Sequence, residues 1–245
     1  MTHRVNFDVV RELLKNNYTF TTGTSIPLKK DLTFDNKYKK ITDAVVVFLD
    51  MRHSRKIMFE QNEYKSLKTH RAFLQAFISC MDYDDGHFRS FNGDGALAFF
   101  NGNNANSRAV RACMNFNKYI IEMNAVLKDK DYLEIDYGVG IARGDIYVAK
   151  TGRKGADDTR QDLVWVGYPT YLSVALSDKG RGTYKTWVSK SVYSKINDED
   201  SDTSYNLLTD IKTGASIWVE DSITLTNGDS QKVYKTSYHF NLELS

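Results

Sequence analysis

Five apolar residues, Val45-Val46-Val47-Phe48-Leu49, follow Ala44 and run directly into Asp50. An unbroken apolar run of this length predicts a strand covered on both faces, as in a sheet with helices packed on it. Two longer stretches carry helical spacing. Over 63–82 the repeat is Leu67, Arg71, Leu74, Phe77, Ile78 and Met81; over 105–127 it is Ala109, Ala112, Cys113, Phe116, Ile120, Met123 and Leu127, a core stripe. Between them 87–91 and 96–100 are strand-like, and Asn92-Gly93-Asp94-Gly95 gives a hairpin signal that sets Asp94 at a tight tip.

The remaining chain is read the same way. A short helix is expected over 8–15 with Val9, Val10, Leu13 and Leu14 on one side, then a β-prone stretch over 18–22 and a polar surface segment over 29–40. Strands over 132–142 and 145–149 are expected to form a hairpin turned by Arg143-Gly144, and 150–161 a polar, flexible loop. A strand over 162–167 ends in glycine, and Pro169 opens a helix to about 176. A short strand over 185–189 follows, with Ser189 capping a helix over 190–196. An acidic loop over 197–204 and a strand-rich end over 215–244, turned at Asn227-Gly228-Asp229, complete the chain. The order β-α-β-β-α-β predicts an α+β fold with a ferredoxin-like split βαβ core (βαββαβ) and N- and C-terminal extensions. The corresponding division is 1–40, 41–200 and 201–245, the last packed on the same domain.

Composition narrows the function classes. With 33 basic and 31 acidic residues in 245, the net charge is +2 and no basic stripe is visible, which argues against nucleic acid as a partner. The two cysteines, Cys80 and Cys113, fall among apolar neighbours on helix faces and read as reduced core thiols. No apolar run approaches the ~18 residues of a membrane span, and the first residues lack a signal-peptide core, so a cytoplasmic protein without membrane contact is expected. Arg143-Gly144-Asp145 matches an adhesion tripeptide, but in such a chain a turn is the better account.

In a split βαβ sheet the strand ending at Asp50 neighbours the hairpin carrying Asp94, so the two carboxylates can converge. Converging carboxylates suit hard divalent cations that also bind nucleotide phosphates. Two such ions about 4 Å apart can activate an attacking hydroxyl and stabilise displaced phosphate oxygens. The residues after Asp50 lead into a helix whose free N–H groups could receive a triphosphate, with Arg52 and Arg55 adding charge and Ser54 a hydrogen bond. The alternative, that Asp50 caps a turn and Asp94 is a turn residue, stays open on spacing alone.

Four blocks in register resemble class III nucleotidyl cyclases: Phe48-x-Asp50-x-Arg52-x-Ser54, the run from Phe91 to Phe100, the run from Gly138 to Asp145, and Val164-Trp165-Val166-Gly167. The resemblance covers most of the chain. It implies a homodimer with active sites at the subunit interface, two divalent ions per site (Mn²⁺ or Mg²⁺), and a 3′,5′-cyclic nucleotide product with pyrophosphate leaving. On it, Asp50, Met51 and Asp94 are the candidate metal ligands, Asp50 and Asp94 the catalytic pair. Met51, Arg52, His53, Ser54, Phe88, Val164 and Tyr171 are the candidate substrate-binding residues.

The departures carry the specificity. The family's purine-reading lysine, five residues before the glycine of the Gly-Asp pair, falls at Phe88, and its Asp or Thr partner at Val164; both places are apolar. A site that loses both polar partners loses its discrimination for adenine. The chain also resembles the bacterial pyrimidine cyclases of Pycsar antiphage defence, which implies CTP or UTP as substrate and a cyclic-nucleotide-responsive effector as functional partner. The family's transition-state asparagine falls at Tyr171 and its arginine at Ala175, so another base among Arg89, Arg143, Lys150, Arg153, Lys154 and Arg160 is expected to supply the charge. A degenerate cyclase that binds nucleotide without turnover is the alternative, and an adenylate or guanylate cyclase with an unusual base pocket a further one.

Overall fold

The structure is a computed structural model that describes residues 7–15, 17–34, 37–153, 160–199, 206–226 and 228–240. Among these, nine strands form one sheet. Its central path runs β3 (His87–Asn92), β4 (Gly95–Phe100), β2 (Lys37–Arg52), β5 (Asp136–Gly152), β7 (Thr186–Ser189), β9 (Ser230–Thr236) and β8 (Val219–Thr224). Off this path β1 (Thr19–Gly23) pairs in parallel with β2, and β6 (Gln161–Val166) pairs antiparallel with β5. The expected βαββαβ core is β2, the helices α2 (Ser54–Glu60) and α3 (Glu63–Tyr83), β3, β4, α4 (Ala105–Asp129) and β5. Its antiparallel order β3-β4-β2-β5 is the ferredoxin-like arrangement.

Alternation along β2 explains why its apolar run is unbroken. Val45, Val47, Leu49 and Met51 enter the main core with Phe73 and Phe77 of α3 and Ala109 and Phe116 of α4. Val46 and Phe48 point the other way, into a second cluster with Ile26, Phe99, Ile146 and Leu163. That face is closed by the N-terminal segment and by β6, whose Trp165 ring lies 4.3 Å from Phe99. The α4 stripe is buried as expected, Met123 packing only partly.

Four expectations are corrected. The segment over 29–40 is not all surface: β2 begins at Lys37, where β1 supplies its hydrogen bonds. On α3 the inward face holds Phe73, Ala76, Phe77, Cys80 and Met81, and Leu67 is 59% exposed; the helix is rotated so that small Ser66 and Thr69 face inward near its start. The hairpin expected at Arg143-Gly144 does not form. β5 continues through it because β2 pairs with it from Arg52↔Asp136 to Lys39↔Val148, and Gly144 lets Pro169 approach. The expected loop over 150–161 is strand at both ends, to Gly152 and from Gln161, while 154–159 lie outside the described residues.

One irregularity interrupts the long ladder. The register shifts between Ile41 and Ala44, where Asp43 takes a left-handed φ of 59°. Asp145 accepts from the Asp43 amide at 3.2 Å and pairs with Lys40 at 2.7 Å, while Arg143 pairs with Asp43.

Toward the C-terminus, α5 (Tyr168–Lys179) follows β6 with Pro169 in its first turn. The next helix, α6 (Lys190–Glu199), is capped by Ser189, whose hydroxyl accepts from the Val192 amide at 3.4 Å. The acidic loop expected over 197–204 is helix to Glu199, where α6 continues, and the rest of it lies outside the described residues; of the last expected turn only Asn227 does, and β8 and β9 pair antiparallel on either side of it. The first helix, α1 (Asp8–Lys15), forms as expected with every residue exposed.

Candidate active site

Asp50 stands opposite Gly95 of β4 on one side and Gly138 of β5 on the other. Neither neighbour carries a side chain, so the end of β2 opens into a hollow. Asp94 occupies the second place of the two-residue turn Gly93-Asp94 that joins Asn92 to Gly95, with Gly93 at a φ of +66°. The turn thus hands Asp94 to the strand position directly beside Asp50. Both carboxylates line one cavity of about 690 Å³, together with Met51, Arg52, His53 and Ser54.

Within it the residues divide by role. Met51 is buried, its thioether in the main core, so only its main chain faces the cavity. His53 takes a left-handed φ of 55° where β2 turns into α2. Arg52 does not reach into open space as expected. It is 9% exposed, and its guanidinium donates to Asp50 Oδ2 and to the Ser177 carbonyl near the end of α5, with Asp178 Oδ1 at 3.4 Å. Its charge is consumed by the strand that carries it.

Burial pushes the Asp50 carboxyl above its usual range; Arg52 opposes this, and the charges of Asp94 and Asp178 add to it. A carboxylate crowded by two others gains from a hard cation, so Asp50 and Asp94 fit a divalent ion in chemistry and placement. Among the described residues no group of three or more His, Cys, Asp or Glu side chains is arranged to hold a metal. A divalent ion held by the carboxylate pair would have to complete its shell with main-chain oxygens, substrate and water.

The other expected substrate residues lie elsewhere in the protomer. Phe88 packs partly against the main core, its ring 4.7 Å from Phe91. Val164 lines a separate apolar cavity of about 500 Å³ with Tyr18, Phe20, Tyr38 and Tyr147. Tyr171, on the exposed side of α5, hydrogen-bonds Thr226 at 2.9 Å, and Ala175 packs against Leu172 and Leu176.

Nor do the expected replacement bases line the carboxylate cavity. Arg89 donates to the carbonyls of Pro27 at 2.9 Å and Ile26 at 3.2 Å, Arg143 pairs with Asp43, and Lys150 lies over the Phe34 ring. Arg153 and Arg160 are exposed on the β5–β6 arm, and Lys154 is outside the described residues. Besides Arg52 and His53, the basic residues of the cavity are Arg55, Lys56 and Arg181. Arg181 escaped the sequence reading because it follows Asp50 by more than a hundred positions, and its only local signal is the Gly180-Arg181-Gly182 turn.

The fold is that of the class III cyclase domains. The adenylyl cyclase CyaB from P. aeruginosa superimposes with a TM-score of 0.64 over 81% of this chain and 95% of that one, at 17% identity. The guanylate cyclase domain of RhGC from Catenaria anguillulae, solved in complex with GTP, gives a TM-score of 0.64 over 82% and 100%, at 13% identity. In sequence the chain is related to proteins named uridylate cyclase. It is 24% identical over 237 residues to that of Xanthomonas perforans, covering 95% of each chain. It is 24% identical over 203 residues to that of Rhodovulum sp. (strain MB263), covering 79% of this chain and 82% of the other. No family model matches the chain.

Proposed function

We propose that the protein is a pyrimidine nucleotidyl cyclase that converts UTP or CTP to the 3′,5′-cyclic monophosphate and pyrophosphate. The observation that carries this reading is the Asp50–Asp94 pair, opening into one cavity on a cyclase fold. Between the two bases, the relatives named uridylate cyclase favour UTP. In the reaction the ribose 3′ oxygen bonds to the α-phosphorus, its proton passes to solvent, and the bond from the α-phosphorus to the bridging oxygen breaks as pyrophosphate leaves. Mg²⁺ or Mn²⁺ held by Asp50, Asp94 and the Met51 main chain would make the hydroxyl more acidic and offset charge on the phosphates. The chain itself orients that site: Arg52 fixes the Oδ2 oxygen of Asp50, which lines the cavity.

The geometry also favours a homodimer. Asp50 pairs with Gly138 and Val164 with Ala149, and the eleven steps along β5 between those two points span roughly 35 Å at strand rise. No single nucleotide covers that distance, so a base read near Val164 and phosphates held near Asp94 belong to sites completed by two chains. Exposed apolar residues on α1 and β6, including Leu13, Leu14 and Val166, supply surface for such an assembly. The antiphage role and a cyclic-nucleotide-responsive effector follow from the resemblance to the Pycsar enzymes.

The test is incubation with Mn²⁺ and each of the four ribonucleoside triphosphates, with products identified by mass spectrometry. Cyclic UMP or cyclic CMP is expected, and Asp50→Ala and Asp94→Ala each abolish it. Cyclic AMP or cyclic GMP alone would sink the pyrimidine assignment, and nucleotide binding without pyrophosphate release would identify a degenerate cyclase.

A further inference from the structure

We propose that Arg181 binds the polyphosphate chain of the substrate in the Asp50–Asp94 cavity, a role the sequence pattern gives to Arg52 and Arg55. The identity of the substrate rests on the cyclase reading; the anion site itself rests on the cavity.

The argument is one of available charge. Arg52 is committed to Asp50 and the end of α5, Asp136 is paired with Lys185, and Lys56 lies 3.8 Å from Glu60. Among the described residues the side chains of Arg55 and Arg181 have no ion-pair partner, and both are exposed in the cavity. Divalent cations on carboxylate ligands and guanidinium groups on phosphate oxygens are complementary halves of one polyphosphate site.

Of the two arginines, Arg181 is the one whose backbone is fastened. Its amide donates to the Lys179 carbonyl at 2.6 Å, and Gly180 before it packs so tightly on Gly138 that a Cβ there would overlap the Gly138 Cα. Gly138 is the residue paired with Asp50. Gly182 after it turns with a φ of +66° and open space around it. The loop is thus anchored one residue away from the metal-binding strand, and the planar guanidinium starts from a fixed point beside the carboxylates. Anchored placement is what a bidentate phosphate contact needs.

The experiment is calorimetric titration of inorganic tripolyphosphate in Mg²⁺ into the full chain, Arg181→Gln, Arg181→Lys and, as a control, Lys128→Gln on the exposed end of α4. Losing one charge-assisted phosphate contact is expected to weaken tripolyphosphate about tenfold in Arg181→Gln. Arg181→Lys, which keeps the charge but not the fork, loses less, and the control is unchanged. In turnover, Arg181→Gln raises KM for the nucleoside triphosphate more than it lowers kcat. Tripolyphosphate bound equally by Arg181→Gln and the native chain, or by neither, overturns the proposal. A native chain that binds tripolyphosphate through Arg181 but cyclises no nucleotide overturns the cyclase reading and leaves the anion site standing.

Discussion

Replacing Gly140 with alanine tests how α5 is held over the sheet. A Cβ at Gly140 would overlap the carbonyl oxygen of Ser173 and stand 2.6 Å from the Ser177 nitrogen and 2.8 Å from Leu176 Cβ, where ordinary contact begins at 3.4 Å. Two of these obstacles are helix backbone, so relief requires α5 to retreat by about 1 Å as a body. Overpacking of this kind costs about 1–3 kcal/mol. Retreat also loosens Leu172 and Leu176, both buried, whose full burial is worth roughly 1.5–3 kcal/mol each. Losing a third to a half of that brings the total to about 4 kcal/mol, or roughly 8–16 °C in Tm for a chain of this size. Urea denaturation followed by far-ultraviolet circular dichroism measures it. Gly214→Ala is the control: its φ is +69° with nothing within 4 Å, so it carries only the left-handed penalty of about 1 kcal/mol. A Gly140→Ala loss no larger than that of Gly214→Ala would refute direct packing of α5 backbone on β5.

Three further outcomes are expected. Arg52→Met should cost about 2–3 kcal/mol, below the range for a fully buried pair because Asp50 is 27% exposed; in a double-mutant cycle with Asp50→Asn most of that loss should be non-additive, and strict additivity would exclude the pair as its cause. Asp94→Asn should remove product formation while leaving the urea midpoint within about 0.5 kcal/mol of native, since it alters a partly exposed turn. Burial raises the Cys80 thiol to about 12 and holds Cys113 and Tyr137 well above their usual values. Unfolded thiols therefore ionise from about pH 9 while folded ones stay neutral, and each removes about 1.4 kcal/mol of stability per pH unit up to its folded pKa. Denaturation midpoints should fall steeply between pH 9 and 11, and a flat profile there would contradict the burial of both thiols.

What the sequence made legible follows a simple physical division. The 105–127 stripe and the Val45–Leu49 run could be read because burial writes itself into consecutive or periodic apolar positions. Asp94 could be placed because a two-residue turn leaves no choice of geometry. Arg143-Gly144 misled because glycine serves equally as a turn and as a gap in a strand, and only the partner strand decides which. Leu67 misled because small polar residues, Ser66 and Thr69, hold the buried side of the first turns of α3. Arg52 misled for a reason outside any local window: the end of α5, far along the chain, takes its guanidinium.

The irregularity at Asp43 bears on how such chains can diverge. Ile41 and Ala44 both enter the second cluster, although three positions separate them and strict alternation would send them to opposite faces. The shift in register is what reconciles the two halves of β2. From Ile41 to Ala44 β2 takes three steps where β5 takes two, from Ile146 to Gly144, so deleting either Thr42 or Asp43 would even the count and leave Ile41 facing inward by plain alternation. What such a deletion would remove is the left-handed turn at Asp43 with its contacts to Asp145 and Arg143, so a one-residue gap at this point in a homologue is the mark of a strand without the bulge and not of a lost strand.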